Sequence, residues 1–171
     1  LLDNAVAAGN LSPESLPDNQ AGDFYYIRAN CLYELGDYAG AVDQYRQALP
    51  HRQDNNAYYR GLAMAQARSG DLDAAQQTLA TLQERGAASV DCTVVSAEIH
   101  AAQGQYSQAL EEYRAVLQQT EDQQTLSRVY LSAAQAARQM GDLDGSIDLL
   151  REAAQRLGTA ATLHTEMLAE V

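Results

Sequence analysis

The feature of the sequence that most constrains the fold is a glycine that recurs at nearly constant spacing. Each copy ends a stretch of helix-forming residues and is followed by a polar residue and then by tyrosine or leucine. The intervals between copies are 34, 34 and 37 residues. Such a period predicts a solenoid, because a unit of this size cannot bury its apolar face alone and must stack on its neighbours. The four glycines are Gly36, Gly70, Gly104 and Gly141.

Positions at fixed distances from each glycine extend the repeat well beyond the turn. Small residues recur seven positions before and five after it, and tyrosine or leucine recurs two and nine positions after it. The pattern predicts a helix, a left-handed glycine turn and a second antiparallel helix capped by Asp37, Asp71 or Asp142. Rings eleven positions before the glycine are expected to fill the gap against the preceding unit. The small residues are Ala29, Ala63, Ala97 and Ala134 before the glycine and Ala41, Ala75, Ala109 and Ser146 after it; the rings of the last set are Tyr25, Tyr59 and Tyr130.

This order of small, glycine, aromatic and small positions resembles the tetratricopeptide repeat family over roughly residues 22–159. The resemblance implies an all-α fold, a right-handed α-solenoid of antiparallel helix pairs with about four repeats and terminal capping helices. Three extra residues at the third junction predict a longer first helix in the fourth unit. The expected segments are a capping helix and loop at 1–21, repeats at 22–55, 56–89, 90–126 and 127–158, and a capping helix or the start of a fifth repeat at 159–171.

Charge and composition exclude several classes of partner. The net charge is −12, and all eleven basic residues are arginines. Such a surface repels phosphate backbones and anionic lipids, so nucleic acid is not an expected partner, and RNA-reading helical repeats of similar period are disfavoured. No apolar run approaches the roughly 20 residues that span a bilayer, so we expect a soluble protein without direct membrane insertion. Leu1 is not an initiator methionine, which leaves open a removed leader or a larger parent protein, and a cytoplasmic or an extracytoplasmic location.

No combination of residues in the sequence indicates catalysis or metal binding. The histidines His51, His100 and His164 have neither one another nor a cysteine within one helical turn. Cys31 and Cys92 are expected to be reduced, small buried residues. Acidic pairs such as Glu111 and Glu112 are expected on solvated faces, and there is no phosphate-binding loop or nucleophile elbow. We therefore expect neither an enzyme nor a cofactor.

The family resemblance implies that the first helices of the units line a concave groove. Rings, amides and a methionine there suit peptide recognition, and arginines can bind carboxylates through two parallel hydrogen bonds. We expect a protein-interaction scaffold that binds a protein or peptide segment with carboxylate groups. The alternative is a structural or homo-oligomerisation module of a larger multidomain protein. The groove candidates are Tyr26, Asn30, Tyr33, Arg60, Met64, Arg68, Glu98, Arg128, Gln135 and Arg138.

Overall fold

The computed structural model describes residues 16–158, so residues 1–15 of the capping element expected at 1–21, and the element expected at 159–171, lie outside it. The described part contains eight α-helices, one short 3-10 helix and no strand. None of these helices combines the length and the apolar character that crossing a bilayer requires. The helices are α1 Asp18–Glu34, α2 Tyr38–Ala48, the 3-10 helix Leu49–His51, α3 Asn56–Ser69, α4 Leu72–Glu84, α5 Ser89–Ala102, α6 Tyr106–Gln119, α7 Gln123–Gln139 and α8 Leu143–Arg156.

Consecutive helices pair into four hairpins, numbered 1 to 4 from α1–α2 to α7–α8. The chain divides into two compact units. The N-terminal unit, Leu1–Ala87, holds hairpins 1 and 2, and the C-terminal unit, Ala88–Val171, holds hairpins 3 and 4. Within each unit the second hairpin packs against the first. The prediction of an all-α solenoid fold built from helix pairs is therefore confirmed.

The turns between paired helices have the predicted chemistry. All four repeat glycines have positive φ angles, between 77° and 90°, a conformation that side chains with a Cβ rarely adopt. Three of the turns are followed by an aspartate whose carboxylate accepts a backbone N–H of the next helix, as Asp37 does from Gly40 and Asp142 does from Gly145. These three turns thus end one helix and cap the next, whereas Gln105, after Gly104, makes no side-chain cap.

The predicted small residues lie at the helix crossings. Ala29, Ala63, Ala97 and Ala134 are fully buried, and their counterparts on the second helices, including Ser146, are also buried. Side chains of this size let two helix backbones approach closely, and larger buried residues such as Leu82 and Tyr113 fill the remaining space. The recurring small residues are therefore a packing requirement of each hairpin.

Three of the first helices begin earlier than the predicted repeat boundaries, α5 by one residue and α1 and α7 by four each. Helix α1 starts at Asp18, directly after Pro17, and α7 starts at Gln123, where the Asp122 carboxylate accepts the Thr125 N–H at 2.8 Å. With the extra residues, α7 reaches 17 residues, whereas α3 and α5 have 14 each. The predicted lengthening is confirmed, and the added turn is at the N-terminal end because the cap lies there.

The predicted gap-filling rings at Tyr25 and Tyr59 are only half-buried. Tyr25 stacks on His51 with ring centroids 5.9 Å apart, and the Arg85 guanidinium lies 4.4 Å from the centre of the Tyr59 ring. The fully buried ring of hairpin 2 is Tyr58, one residue earlier. The expectation was wrong for Tyr25 and Tyr59, because adjacent helical residues point about 100° apart, whereas the third predicted ring, Tyr130, is fully buried.

The prediction for the cysteines was also wrong in part. Cys31 is exposed, and Cys92 is half-buried. Burial raises the pKa of the Cys92 thiol, and the neighbouring Asp91 carboxylate adds to this effect. Cys31 is exposed because it lies on a face of α1 that no other described helix covers.

Candidate partner-binding face

The ten predicted groove residues lie on the first helices of the hairpins, and we call the surface that they mark the first-helix face. Six of them lie on α1 and α3 of the N-terminal unit, and four lie on α5 and α7 of the C-terminal unit. Because each unit is a separate compact body, the face is described for each unit in turn.

Three tyrosines from three helices meet on the first-helix face of the N-terminal unit. The Tyr26 ring on α1 stacks on Tyr58 of α3, with centroids 4.6 Å apart and planes inclined by 17°. Tyr26 also lies 6.0 Å from the Tyr45 ring of α2. Tyr45 and Tyr58 are fully buried, whereas Tyr26 is half-exposed. A partner that reaches this face therefore meets the open side of Tyr26, supported by two buried rings.

Hydrogen bonds fix the two buried rings. The Tyr45 hydroxyl donates to Asn30 Oδ1 at 2.7 Å, and the Tyr58 hydroxyl donates to Asp23 Oδ1 at 2.8 Å. Burial raises the pKa of Tyr58 well above its ordinary value, and the hydrogen bond to the Asp23 carboxylate raises it further. Tyr58 is therefore a neutral donor at physiological pH. The aromatic cluster is held in one arrangement before any partner arrives.

Gly61 of α3 packs directly against the Tyr45 ring. A Cβ atom placed on Gly61 would lie 2.5 Å from both Cε1 and Cζ of Tyr45, far inside ordinary van der Waals contact. The close approach of α3 to hairpin 1 therefore depends on the absence of a side chain at this position. Neither Gly61 nor Tyr58 was among the predicted site residues.

The remaining predicted residues of the N-terminal unit divide by exposure. Tyr33 is buried edge-on against Tyr38, with centroids 5.2 Å apart, and Met64 is 1% exposed. Both are core residues in the free chain. Arg60 and Arg68 are partly exposed, and each already interacts with other groups of the chain. Tyr26, Asn30, Arg60 and Arg68 are thus the predicted residues that reach the surface here.

In the C-terminal unit, the predicted residue Glu98 is 1% exposed and links two hairpins. The Ser132 hydroxyl of α7 donates to Glu98 Oε1 of α5 at 2.7 Å. This buried carboxylate is occupied by intrachain contacts. Arg128, Gln135 and Arg138 of α7 are partly exposed and also interact within the chain. These three residues form the accessible part of the face in this unit.

A polar cluster in hairpin 3 contradicts the expectation that the acidic pair Glu111 and Glu112 lies on a solvated face. Glu112 accepts a hydrogen bond from Ser96 Oγ at 2.9 Å and is bonded to His100 Nδ1 at 2.8 Å. Glu112 is therefore half-buried between two partners rather than solvated. Within residues 16–158, no group of three or more histidine, cysteine, aspartate or glutamate residues is arranged to hold a metal ion.

One further offset in the repeat would have pointed to Tyr58. The position twelve residues before each repeat glycine is occupied by Phe24, Tyr58, Cys92 and Val129, and all but Cys92 are buried. The pattern of apolar residues at this offset was visible in the sequence. The contacts that Ser132 and Gly61 make with a neighbouring hairpin were not visible in the sequence, because neither contact follows from periodicity.

Antiparallel helix pairs, joined by left-handed glycine turns and packed through small residues at a period near 34, define an all-α helical-repeat protein. Two sequence models described as tetratricopeptide repeat match the chain, one over residues 32–91 and the other over residues 1–60 and 96–161. The chain belongs to the tetratricopeptide repeat family. Comparison with curated proteins returned no match. Repeats of this family generally mediate protein–protein interactions, typically bind proteins or peptides, and typically form non-catalytic scaffolds.

Proposed function

We propose that this protein is an interaction scaffold whose first-helix face binds an extended or helical segment of a partner protein. The observation that supports this most directly is the half-exposed Tyr26 ring stacked at 4.6 Å on the buried Tyr58. A large ring whose position is already fixed loses little conformational entropy on binding. Asn30 lies one helical turn further along α1, and its amide oxygen accepts the Tyr45 hydroxyl at 2.7 Å. Tyr26 therefore provides the apolar contact for the bound segment.

The proposed partner segment contains carboxylates, either acidic side chains or a free C-terminus. Arg60, Arg68, Arg128 and Arg138 are four of the eleven basic residues of a chain with net charge −12, and all four lie on first helices. Each already interacts within the chain, so a partner carboxylate must exchange with existing contacts. Ion pairs at a partly open surface contribute on the order of 1 kcal/mol each. We therefore expect modest affinity that decreases as salt is added.

A peptide-array screen followed by titration of the best sequences tests this proposal. We expect the bound peptides to be acidic, and Arg60→Ala to weaken their binding about fivefold, the equivalent of about 1 kcal/mol. Tyr26→Ala is expected to weaken binding of the same peptides through loss of apolar contact. The matched control is Arg46→Ala, which removes an exposed arginine from α2, outside the first-helix face.

The outcomes distinguish arginines that bind a partner from arginines that act only in intrachain contacts. Binding that decreases with Tyr26→Ala and Arg60→Ala but not with Arg46→Ala supports the proposal, provided that the helical circular dichroism spectrum is unchanged. Selection of basic peptides, or affinity that responds neither to salt nor to Arg60→Ala, would show that the arginines act only in intrachain contacts.

A further inference from the structure

Asp23 and Tyr26 lie three residues apart on α1, so both side chains project from the same side of the helix. The Asp23 side chain is 53% exposed, and the Tyr26 ring is half-exposed. Tyr58 fixes their relative positions, because its ring stacks on Tyr26 and its hydroxyl donates to Asp23 Oδ1. An accessible carboxylate therefore lies next to an accessible aromatic ring, and we call this pair the Asp23–Tyr26 site.

The accessibility of this site is a property of its positions in the repeat. Asp23 and Tyr26 lie thirteen and ten residues before the turn glycine. In hairpins 2 and 4, each of which packs against a preceding hairpin, both equivalent positions stay partly exposed. These positions hold Ala57, Arg60, Arg128 and Leu131. A hairpin that stacks on a first helix from the preceding side therefore leaves these two positions open to a partner.

The Asp23 carboxylate keeps capacity for a further donor. Its Oδ1 accepts the Tyr58 hydroxyl at 2.8 Å and lies 3.7 Å from Nη1 of Arg52. The second distance is longer than an ordinary hydrogen bond, and the Arg52 side chain is itself 37% exposed. In its contacts within residues 16–158 Asp23 uses only Oδ1. Its Oδ2 is therefore able to accept hydrogen bonds from a bound partner.

A ring face beside a carboxylate suits a cation that also carries several N–H donors. Ring faces have negative potential and attract a cation that lies within about 6 Å of the ring centroid. The carboxylate attracts the same cation and accepts its hydrogen bonds, and the net charge of −12 adds long-range attraction. A guanidinium fits best, because its plane can lie on the ring while its N–H groups reach the carboxylate. The Arg85 guanidinium already lies in this way over the Tyr59 ring, 4.4 Å from its centroid.

We propose that the Asp23–Tyr26 site binds an arginine side chain of the partner segment. This inference rests on the proposed function and refines it, because the segment is then acidic overall but carries one cation that lies on hairpin 1. Arg60 holds the repeat position of Tyr26 on hairpin 2. Packed helices lie about 8–10 Å apart, and an extended chain advances about 3.3–3.6 Å per residue. The arginine of the segment and the carboxylate that meets Arg60 therefore lie about three residues apart.

A blocked amino acid tests the site without any peptide. N-acetyl-arginine amide carries the cation and no carboxylate, and N-acetyl-citrulline amide has nearly the same shape without the charge. The readout is the NMR spectrum of the chain with ring-labelled tyrosine, in which Tyr26→Phe assigns the Tyr26 signal. The arginine compound should shift that signal with a dissociation constant on the order of 10 mM. The citrulline compound should leave the signal unchanged.

Two variants with opposite expected effects test the role of the carboxylate. Asp23→Asn keeps an oxygen that can accept the Tyr58 hydroxyl, and it should weaken binding of the arginine compound about three- to fivefold. Arg52→Gln removes the neighbouring cation and should strengthen this binding about twofold, a result that misfolding cannot produce. The matched control is Asp43→Asn, which removes an exposed carboxylate from α2 and changes the net charge equally. It should leave the binding unchanged.

Peptide binding distinguishes a failure of this inference from a failure of the proposed function. In an acidic peptide that binds through Arg60, an arginine three residues from a glutamate should bind about three- to fivefold more tightly than citrulline at the same place. Asp23→Asn should remove most of that difference. If such peptides bind but the arginine compound does not shift the Tyr26 signal, the arginine site is refuted and the proposed function stands.

Two further results would overturn the arginine site. One is binding of the arginine compound that Asp23→Asn and Arg52→Gln leave unchanged. The other is an equal loss of binding in Asp23→Asn and in the control Asp43→Asn, which would show attraction by the net charge alone. If the arginine compound binds as expected but no acidic peptide binds through Arg60, the site is supported and the proposed acidic partner is refuted.

Discussion

Replacing Gly61 by alanine is expected to destabilise the N-terminal unit, although alanine is the better helix former. In a helix interior, glycine to alanine ordinarily stabilises by about 0.8–1 kcal/mol. At Gly61 the new Cβ would lie 2.5 Å from the Tyr45 ring and 2.8 Å from its hydroxyl oxygen. Because Tyr45 is 1% exposed and its hydroxyl is bonded to Asn30, the ring cannot move aside without losing packing and the hydrogen bond.

The magnitude follows from these opposing effects. Overpacking a well-packed core costs about 1–3 kcal/mol, and loss of the Tyr45–Asn30 hydrogen bond costs about 0.5–1.5 kcal/mol. After subtracting the gain in helix propensity, we expect Gly61→Ala to lower the free energy of unfolding by about 1–3 kcal/mol. The displaced ring also supports Tyr26, so peptide binding should weaken in the same variant.

Urea unfolding monitored by circular dichroism measures the effect of Gly61→Ala on the free energy of unfolding. The same substitution is also made in a chain that carries Tyr45→Leu, where its effect should change sign. Tyr45→Leu removes the ring atoms that the new Cβ would meet. In that background Gly61→Ala should be neutral or stabilising by up to about 1 kcal/mol. If Gly61→Ala stabilises the chain that retains Tyr45, the close contact between α3 and hairpin 1 is looser than the structure shows and the reasoning fails.

Three further predictions concern the turns, the buried tyrosine and the thiols. Gly70 has φ +90° and open space around it, so Gly70→Ala should cost about 1–2 kcal/mol in urea unfolding from backbone strain alone; an unchanged midpoint would contradict this. Tyr58→Phe should lower the free energy of unfolding by about 0.5–1.5 kcal/mol at neutral pH. Because the pKa of Tyr58 is raised above 10.0 in the folded chain, the original chain should lose stability as the pH rises past about 10, and the variant should lose less. An equal loss of stability at alkaline pH in both chains would refute this prediction. In dilute solution Cys31 should react with a thiol reagent faster than Cys92, since Cys31 is exposed and the Cys92 pKa is raised; comparison of the two single serine variants decides the order.

The sequence alone was sufficient for the architecture of each hairpin. The turn glycines, the aspartate caps and the buried alanines such as Ala63 recur at fixed offsets because each meets a local requirement: a left-handed residue, a free N–H to satisfy, or a close helix crossing. The longer α7 also followed from counting residues between glycines. Local requirements of this kind repeat with the chain, so a single sequence displays the turn glycine four times and the aspartate cap three times.

The tertiary structure decided which side chains reach the surface. The offset used for the gap-filling rings selected Tyr59 and not the buried Tyr58, and periodicity did not show that Met64 and Glu98 are buried while Tyr26 is half-exposed. Burial at these positions depends on contacts between hairpins, which involve residues about 34 apart in the chain, as between Ser132 and Glu98. The repeat position of Cys31, five residues before the turn glycine, is exposed in hairpin 1 and buried in hairpins 2 and 4. Its exposure therefore depends on what packs against the helix and not on the position in the repeat.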